Sequence, residues 1–400
     1  MLYLHIPFCK QACSYCNFHF STSMRTRPAV LAAMDRELRL RRTELPAGPV
    51  PSVYFGGGTP SLLTDEELDL LFRTLLDEGY LGAAAGAGEG TKQQGLPEIT
   101  LEANPDDLDD RTLETLTLTP VNRLSIGIQS FFDEDLRFMN RAHSAAEARS
   151  VIRRAQDHGW RNLSVDLIYG GQTTTDAMWA DNLKMVTDLG VSHVSAYALT
   201  VEPGTALGAN VARGKVADTD DARFERQFAM LVDHLTTHGF RHYEISNFCL
   251  PGKESHHNSG YWSGRPYVGV GPGAHSFDGV RTRRWNVSNN ALYAKAWTDI
   301  ESPTDYAAAE QLLYECEVLT DDERYNEYVM TSLRRDTGVT LAELEQRFGA
   351  ERARHFAASQ QANVEAGLFA PTAGGIYRLT PAGRTRADGV ASDAFLVSGQ

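Results

Sequence analysis

The stretch LYLHIPFCKQACSYCNF, residues 2–18, decides how this chain folds. Its opening residues, Leu2–Ile6, are mostly apolar and predict a buried β-strand. Cys9, Cys13 and Cys16 follow directly, with the spacing C-x3-C-x2-C. Because α/β barrels place their working residues at the carboxyl ends of strands, we expect the three thiols to lie at a functional site.

The three cysteines form a metal pattern rather than a disulfide framework. The chain has five cysteines, an odd number, so disulfide pairing would leave one over. A [4Fe–4S] cluster has four irons, and three thiolates leave one iron open to another ligand. Two alternatives stand beside it: the i, i+4, i+7 spacing also fits one helix face, and zinc would need a fourth ligand such as His5 or His19.

Composition restricts the function classes. The chain has 400 residues, 42% of them hydrophobic, which predicts one large domain and a smaller one. The formal net charge of −14 argues against non-specific binding to nucleic acid or anionic lipid. No run approaches the roughly 20 apolar residues of a membrane helix, and no secretory leader is evident. We expect a cytoplasmic protein, where thiols stay reduced.

The first half of the chain alternates apolar runs with segments of helical periodicity. Six runs predict buried strands of a parallel sheet, because both faces are apolar or nearly so: Leu2–Ile6, Val53–Phe55, Ile99–Leu101, Leu124–Ile128, Leu163–Ile168 and Val194–Leu199. Thr64 and Glu67 predict a capping box before one of the helices. Six strand–helix units fall short of the eight of a closed barrel. The fold prediction is α/β, an open partial (β/α)6-type barrel, with a doubly wound sheet as the alternative.

The second half predicts fewer regular elements. We expect a long helix over Asp218–His238, a strand over Tyr243–Phe248, and an irregular Gly-rich and aromatic stretch over His256–Phe277. The segment Gly82–Gly95 is low in complexity and is predicted to be a flexible linker.

The tail from about Asp305 changes character. Thr340 and Glu343 predict a capping box, and β-like pieces surround Ile376–Leu379. Three helices and a small hairpin would suit a helical, winged-helix-like module. The predicted domains are therefore a barrel over residues 1–280, a linker over 281–304 and a C-terminal domain over 305–400.

Polar or glycine-rich residues end five successive predicted strands on the cysteine side. They are Gly56–Pro60, Glu102, Gln129, Asp166 and the pair Tyr197 and Ala198. A glycine run lets backbone groups approach a ligand closely, so we expect a ligand site at this end of the barrel. An alternative for Glu102 is that it caps the turn formed with Asn104 and Pro105. An alternative for Arg141 is that it lies on the surface in contact with solvent.

The cysteine spacing, with Tyr15 before the last cysteine, resembles the radical S-adenosylmethionine superfamily. Several longer segments resemble the oxygen-independent coproporphyrinogen III oxidases and the haem chaperones related to them: residues 3–9, Gly56–Pro60, Glu102–Pro105, Ile126–Gln129 with Arg141, and Asp166–Gly170. This resemblance implies contacts to S-adenosylmethionine from Tyr3, Tyr15, Gly57, Gly58, Thr59, Glu102, Gln129, Arg141, Asp166 and Ala198.

Two features separate the branches of that family. Phe18 stands where the oxidases carry a further cysteine, and this chain shows no extension ahead of its first strand. The sequence HNSGYW matches the HNxxYW motif of the haem chaperones, which implies haem contacts from His257, Asn258, Tyr261 and Trp262. From residue types alone, His257 is a satisfied polar residue and the two aromatic residues belong to the core.

The resemblance therefore favours a haem chaperone built on a radical enzyme scaffold. It implies a [4Fe–4S] cluster, S-adenosylmethionine and haem, with haem-acceptor proteins and an electron donor as partners and a homodimer left open. Arg281, Arg283 and Arg284 are candidates to pair with haem propionates. The axial ligand stays open among His242, His256, His257 and His275, and whether the protein is an enzyme is also open. The alternatives are a coproporphyrinogen III oxidase and a DNA-binding, oxygen-sensing regulator.

Overall fold

The structure, a computed structural model, describes residues 1–82, 97–371 and 373–397. Apart from Gly82, the predicted flexible segment lies outside these residues. The strands are β1 (Leu2–Ile6), β2 (Ser52–Gly57), β3 (Glu98–Ala103), β4 (Arg123–Gln129), β5 (Leu163–Tyr169), β6 (His193–Ala198), β7 (Arg241–Glu244), β8 (Asn247–Cys249), β9 (Val268–Val270), β10 (His275–Phe277), β11 (Thr282–Asn286), β12 (Tyr314–Val318), β13 (Val339–Thr340) and β14 (Ile376–Tyr377).

The helices are α1 (Arg27–Arg41), α2 (Asp65–Asp77), α3 (Asp110–Thr117), α4 (Asp133–Phe138), α5 (Ala145–Asp157), α6 (Asp176–Asp188), α7 (Ala206–Ala212), α8 (Asp221–Thr237), α9 (His256–Trp262), α10 (Asn290–Ala296), α11 (Pro303–Leu313), α12 (Asp321–Leu333), α13 (Leu341–Phe348), α14 (Ala350–Ser359), α15 (Gln361–Glu365), α16 (Pro381–Arg384) and α17 (Ala387–Ser392). Across the described residues, none of them combines the length and apolarity of a membrane span.

The central sheet confirms the predicted partial barrel. Its strand order is β7-β8-β6-β5-β4-β3-β2-β1-β9. Strands β1 to β6 are parallel and follow one another in chain order. A doubly wound sheet reverses its order at a switch point, and this sheet does not. Strand β9 pairs parallel with β1. Beyond β6, strand β8 pairs antiparallel with β6, and β7 pairs antiparallel with β8.

In β4 one face is polar, although both faces were expected to be apolar or nearly so. Leu124, Ile126 and Ile128 are buried in the core, whereas Arg123, Ser125, Gly127 and Gln129 line the barrel cavity. Successive side chains of a strand point to opposite faces, so this alternation separates a packed face from a polar interior face. The barrel interior is therefore suited to a polar ligand.

The two predicted capping boxes have different outcomes. Thr64 forms its box before α2: it accepts from the Glu67 amide at 3.3 Å, and the Glu67 carboxylate accepts from the Thr64 amide at 2.9 Å. Thr340 makes no side-chain cap before α13, because it pairs with Ile376 in the β13–β14 ladder. Thr320 and Glu323 form the box that opens α12 instead.

Two predictions for the second half of the chain are wrong. The stretch His256–Phe277 is not irregular but contains α9, β9 and β10. The predicted single strand Tyr243–Phe248 is instead the end of β7, a two-residue turn and the start of β8. These elements are short, so their periodicity is too weak to be read from the sequence.

The C-terminal part has a core of its own, as predicted for a smaller helical domain. Tyr325, Val329, Leu344 and Phe356 pack together there, beside the two-stranded β13–β14 sheet. The segment 281–304, predicted as a linker, contains β11 and α10, and α11 places Leu313 in the barrel core. We therefore propose a domain boundary close to residue 319.

A buried ion pair joins α1 to β9 and to the residue that follows it. Arg41 and Glu37 are both fully buried, with 2.7 Å between the guanidinium Nη1 and carboxylate Oε1. Arg41 also donates to the Gly269 carbonyl at 2.8 Å, and Glu37 accepts from the Gly271 amide at 2.9 Å. Removing one partner of such a pair leaves an uncompensated buried charge, which is strongly unfavourable.

We expect Arg41→Met to lower the free energy of unfolding by about 3–5 kcal/mol, because Glu37 then stays buried without its cation. The matched control is Lys184→Met, which breaks the exposed ion pair with Asp188 and should cost at most about 0.5 kcal/mol. Chemical denaturation of both variants measures the difference. An Arg41→Met protein as stable as the control would contradict the role of the pair.

Candidate functional site

The cysteine loop lies where β1 and β2 end. Cys9, Cys13 and Cys16 carry free, half-buried thiols that line one cavity of about 820 Å³. The loop is not helical, so the spacing does not mark a helix face. Its backbone is held by hydrogen bonds from the Cys9 amide to the Ser21 carbonyl and from the Ser14 amide to the Met139 carbonyl, both at 3.0 Å.

The predicted zinc alternatives, His5 and His19, face away from these thiols. The ring nitrogens of His5 are bound to the Tyr3 hydroxyl and the His19 carbonyl, and His19 Nε2 to Asn290. Within the described residues, no three His, Cys, Asp or Glu side chains lie close enough to hold a single metal ion. A cubane cluster places each thiolate on a different iron, so it requires no such tight group.

Burial shapes the chemistry of the thiols. It raises the pKa of Cys9 to about 11 and also raises the pKa of Cys16. Metal binding requires deprotonated thiols and overcomes such shifts, because a nearby cation stabilises the thiolate. Arg141 supplies one cation, with its Nη1 at 3.4 Å from the Cys13 sulfur. A set of three thiols and one guanidinium in a half-enclosed loop fits an iron–sulfur cluster.

The glycine run at the end of β2 packs against the start of the cysteine loop. The Gly58 amide donates to the Ile6 carbonyl at 2.8 Å. A Cβ at Gly58 would lie 2.7 Å from the Phe8 nitrogen and 2.8 Å from the Ile6 oxygen. Gly57 has φ of 108° and faces the His5 ring. Only glycine permits this approach of two backbones.

Glu102 lies at the end of β3 and is tied to the glycine run. Its carboxylate accepts from the Tyr54 hydroxyl at 2.7 Å and from the Gly57 amide at 3.2 Å. It does not cap the turn formed with Asn104 and Pro105. Burial, reinforced by Asp166, raises the pKa of Glu102 to about 7. A carboxylate in this state gains strongly from an ammonium or hydroxyl donor on a ligand.

Two further polar side chains line the cavity: Gln129 at the end of β4, and Asp166 at the middle of β5 rather than at its predicted end. Ser125 donates to the Asp166 carboxylate at 3.3 Å, and burial raises the pKa of Asp166 to about 6. Gln129 has φ of 62° beside an irregular β4–β5 register. A positive φ in a non-glycine residue is uncommon and often marks a site where a side chain is held in a particular direction.

Arg141 is not a solvated surface residue. Besides Cys13, its guanidinium donates to the Gly127 carbonyl at 2.9 Å and to the Asn104 side chain. It thus joins the cysteine loop to the ends of β3 and β4. Asn104, Tyr54 and Arg123 also line the cavity and were missed from the sequence. The signal for Arg123 was available as the alternating polar pattern of β4.

The residues predicted to contact S-adenosylmethionine mostly converge. Those lining the cavity with the three cysteines are Tyr15, Gly57, Gly58, Thr59, Glu102, Gln129, Arg141, Asp166 and Ala198. Tyr3 does not line it. Its ring stacks on Tyr54 with 6.0 Å between centroids and faces a second cavity on the other side. Tyr3 therefore lies behind the wall of the first cavity.

The HNxxYW segment forms α9, and its residues face different surroundings. His257 is buried, with Nδ1 bonded to the Ser52 hydroxyl at 2.9 Å and Nε2 to the Tyr261 hydroxyl at 3.0 Å. Both ring nitrogens are therefore engaged within the protein. Asn258 lines the barrel cavity, whereas Tyr261 and Trp262 line the second cavity.

The arginines expected to pair with propionates are bound to carboxylates of this chain. Arg281 pairs with Asp321 at 3.1 Å and Arg283 with Glu327 at 2.9 Å. Arg284 pairs with Glu44 at 2.6 Å. Each of these three candidates therefore already has a carboxylate partner in this chain, and the pairing with propionates stays a prediction.

Comparison with protein families identifies two regions. Residues 3–186 match the Radical SAM superfamily, and residues 319–385 match the HemN C-terminal domain. Among solved structures, coproporphyrinogen III oxidase (HemN) from Escherichia coli has a TM-score of 0.78 at 22% identity, covering 98% of this chain and 89% of that chain. At this identity the likeness shows the fold.

Curated relatives give a closer match. The heme chaperone HemW of Mycobacterium tuberculosis (strain CDC 1551 / Oshkosh) is 36% identical over 86% of this chain and 83% of its own length. The heme chaperone HemW of Bacillus subtilis (strain 168) is 30% identical over 96% and 95%. A Danio rerio protein named radical S-adenosyl methionine domain-containing protein 1, mitochondrial, is 33% identical over 68% and 59%.

We expect Gly58→Ala to lower the free energy of unfolding by about 1–3 kcal/mol, because the new methyl group meets backbone atoms that cannot move separately. Iron and sulfide retained after anaerobic reconstitution should also fall. Gly389→Ala is the matched control, since nothing lies within 4 Å of a Cβ there. Equal iron content and stability in the two variants would contradict the tight packing of the loop.

The buried carboxyls predict a pH effect on the metal-free protein. Raised pKa values mean that the folded state binds more protons than the unfolded state, so stability falls as pH rises. For Glu102 the window runs from its usual 4.5 to about 7. Glu102→Gln should flatten this fall in denaturation experiments, whereas Glu114→Gln, at an exposed position on α3, should not. The same slope in all three proteins would contradict the assignment.

Proposed function

The chain belongs to the family of heme chaperones named HemW, within the Radical SAM superfamily, and from this membership we propose that it binds haem and delivers it to acceptor proteins. The relatives that support this proposal cover most of the chain, including the HNxxYW segment and the C-terminal domain. The acceptor proteins and the electron donor are partners of this proposed role.

We propose that Cys9, Cys13 and Cys16 hold a [4Fe–4S] cluster. When bound, it supplies one-electron chemistry beside an iron without a protein thiolate. The observation that supports this most is the convergence of the three thiols with polar strand ends in one cavity. The guanidinium of Arg141 beside Cys13 offsets thiolate charge there.

S-adenosylmethionine fits the same cavity in our proposal. Glu102 and Asp166 offer carboxylate oxygens to ammonium and hydroxyl donors, and Thr59 and Gln129 offer polar side chains beside them. The Gly57 and Gly58 backbones allow a ligand to approach without meeting a side chain. Tyr3 acts indirectly here, by packing on the Tyr54 ring that fixes Glu102.

A coproporphyrinogen III oxidase is the second candidate, because the barrel cavity keeps the polar set described above and the fold matches that enzyme. Phe18 argues against it, since an exposed phenyl ring replaces the further thiol expected in the oxidases. A DNA-binding regulator has less support. Arg334, Arg347 and Arg352 of the C-terminal domain pair with Asp388, Glu343 and Asp322. We place the protein in the cytoplasm, where free thiols stay reduced.

The test is anaerobic reconstitution followed by haem titration, with and without S-adenosylmethionine. We expect about one haem per chain, seen by difference absorbance, and no formation of protoporphyrinogen IX from coproporphyrinogen III. Cys13→Ser should lose the brown cluster absorbance, whereas Cys316→Ser, at an exposed cysteine away from the loop, should keep it. Absence of haem binding by cluster-loaded protein would reject the chaperone, and decarboxylation would establish the oxidase.

A further inference from the structure

A second cavity of about 830 Å³ opens between the barrel and the C-terminal domain. Residues of α9 and β10 form one side, and residues of α12 and α13 form the other. This volume lies within the range of small-molecule and cofactor sites. Phe18 lines both this cavity and the one with the cysteines, so the two cavities share a wall.

Apolar side chains stand exposed along this cleft. Phe18 is 69% exposed, Val280 54% and Met330 37%, and all three line it. Tyr261 and Trp262 of α9 line it too. Apolar groups exposed together indicate a binding surface for an apolar ligand. Flat aromatic rings suit a flat ring system such as a porphyrin.

Four arginines and two glutamates line the cleft, although the chain has a net charge of −14. Three of these arginines pair with carboxylates of this chain: Arg283 with Glu327, Arg324 with Asp321 and Arg347 with Glu343. Arg335 has no carboxylate partner within the described residues; its side chain reaches only the Ser332 hydroxyl, at 3.5 Å. Its buried Nε has no hydrogen-bond partner there either. Arg335 is therefore available to a carboxylate on a ligand.

One histidine in the cleft has its ring nitrogens free. His275 is exposed, and neither of its ring nitrogens has a hydrogen-bond partner in the described parts of the chain. Its ring stacks on Trp285, with 5.5 Å between centroids. Partial burial, reinforced by Arg283, lowers the pKa of His275, which favours the neutral imidazole that ligates iron. The other cleft histidines, His5 and His19, are hydrogen-bonded through their rings.

We propose that haem occupies this second cavity, with His275 as the axial ligand and Arg335 facing a propionate. The proposal rests on the haem-binding function proposed above and assigns its site. His257 then acts as a positioning residue. Its ring is hydrogen-bonded to the Ser52 hydroxyl and to the Tyr261 hydroxyl, and the second bond orients one aromatic wall of the cleft. Phe18 separates the haem from the cysteine loop.

The experiment is a haem titration of the reconstituted full-length chain, followed by absorbance and electron paramagnetic resonance. His275→Ala should lose the histidine-ligated spectrum and weaken binding roughly tenfold, and added imidazole should restore the spectrum. His256→Ala is the matched control, because this exposed neighbour of the motif lines neither of the two cavities. Both histidines are exposed, so neither change disturbs the core.

The outcomes separate the two proposals. If the wild-type protein binds no haem, the proposed function fails. If the wild-type protein binds haem and His275→Ala keeps its spectrum and affinity, the assignment of His275 is overturned and the function stands. A third outcome is that only His257→Gln loses the histidine-ligated spectrum, while circular dichroism shows that this variant is folded. The assignment of His275 would then be overturned in favour of His257.

The contact between Arg335 and a propionate is tested separately, by comparing the affinities for haem and for haem dimethyl ester. Arg335→Gln should weaken haem binding roughly tenfold through loss of a charged hydrogen bond, but leave the affinity for haem dimethyl ester unchanged. The same loss with both ligands would overturn the contact, since the ester carries no carboxylate.

Discussion

The close approach of Gly58 to the end of β1 is the constraint on which the site depends. The hydrogen bond to Ile6 leaves no space for a side chain, so the cysteine loop is fixed to β2 rather than left to move with solvent. From there the Gly57 amide binds Glu102, and Arg141, between α4 and α5, links the Gly127 carbonyl of β4 to Cys13. One backbone contact therefore connects the cysteine loop to the polar strand ends.

The barrel interior follows from the same arrangement. A parallel sheet with helices outside and a ligand inside needs a packed face and a polar face on each strand, and β4 shows both. Burying a polar group costs free energy unless a partner forms a hydrogen bond with it. The raised pKa values of Glu102 and Asp166 reflect this cost, and a ligand with ammonium and hydroxyl groups would offset it.

Much of the barrel could be predicted from the sequence, because the spacing of cysteines and apolar runs is local information. The polar ends of the strands were found for the same reason. The surroundings of His257 could not be predicted, since they depend on Ser52 and on Glu98, which accepts from the His257 amide at 2.9 Å. The helix α9 is likewise anchored by this distant carboxylate. Arg123 was missed because the predicted run began at Leu124, although the polar alternation of Arg123, Ser125, Gly127 and Gln129 is visible in the sequence.

The short strands beside the barrel have a further consequence. The sheet of an open barrel has two edges, and an unpaired edge strand can pair with a strand of another chain. Here β9 covers the free side of β1 with three residues, β8 pairs antiparallel with β6, and β7 pairs antiparallel with β8. The buried pair of Glu37 and Arg41 fixes β9 in place. This protein can therefore keep the accessible mouth of an incomplete barrel without inviting aggregation along its sides.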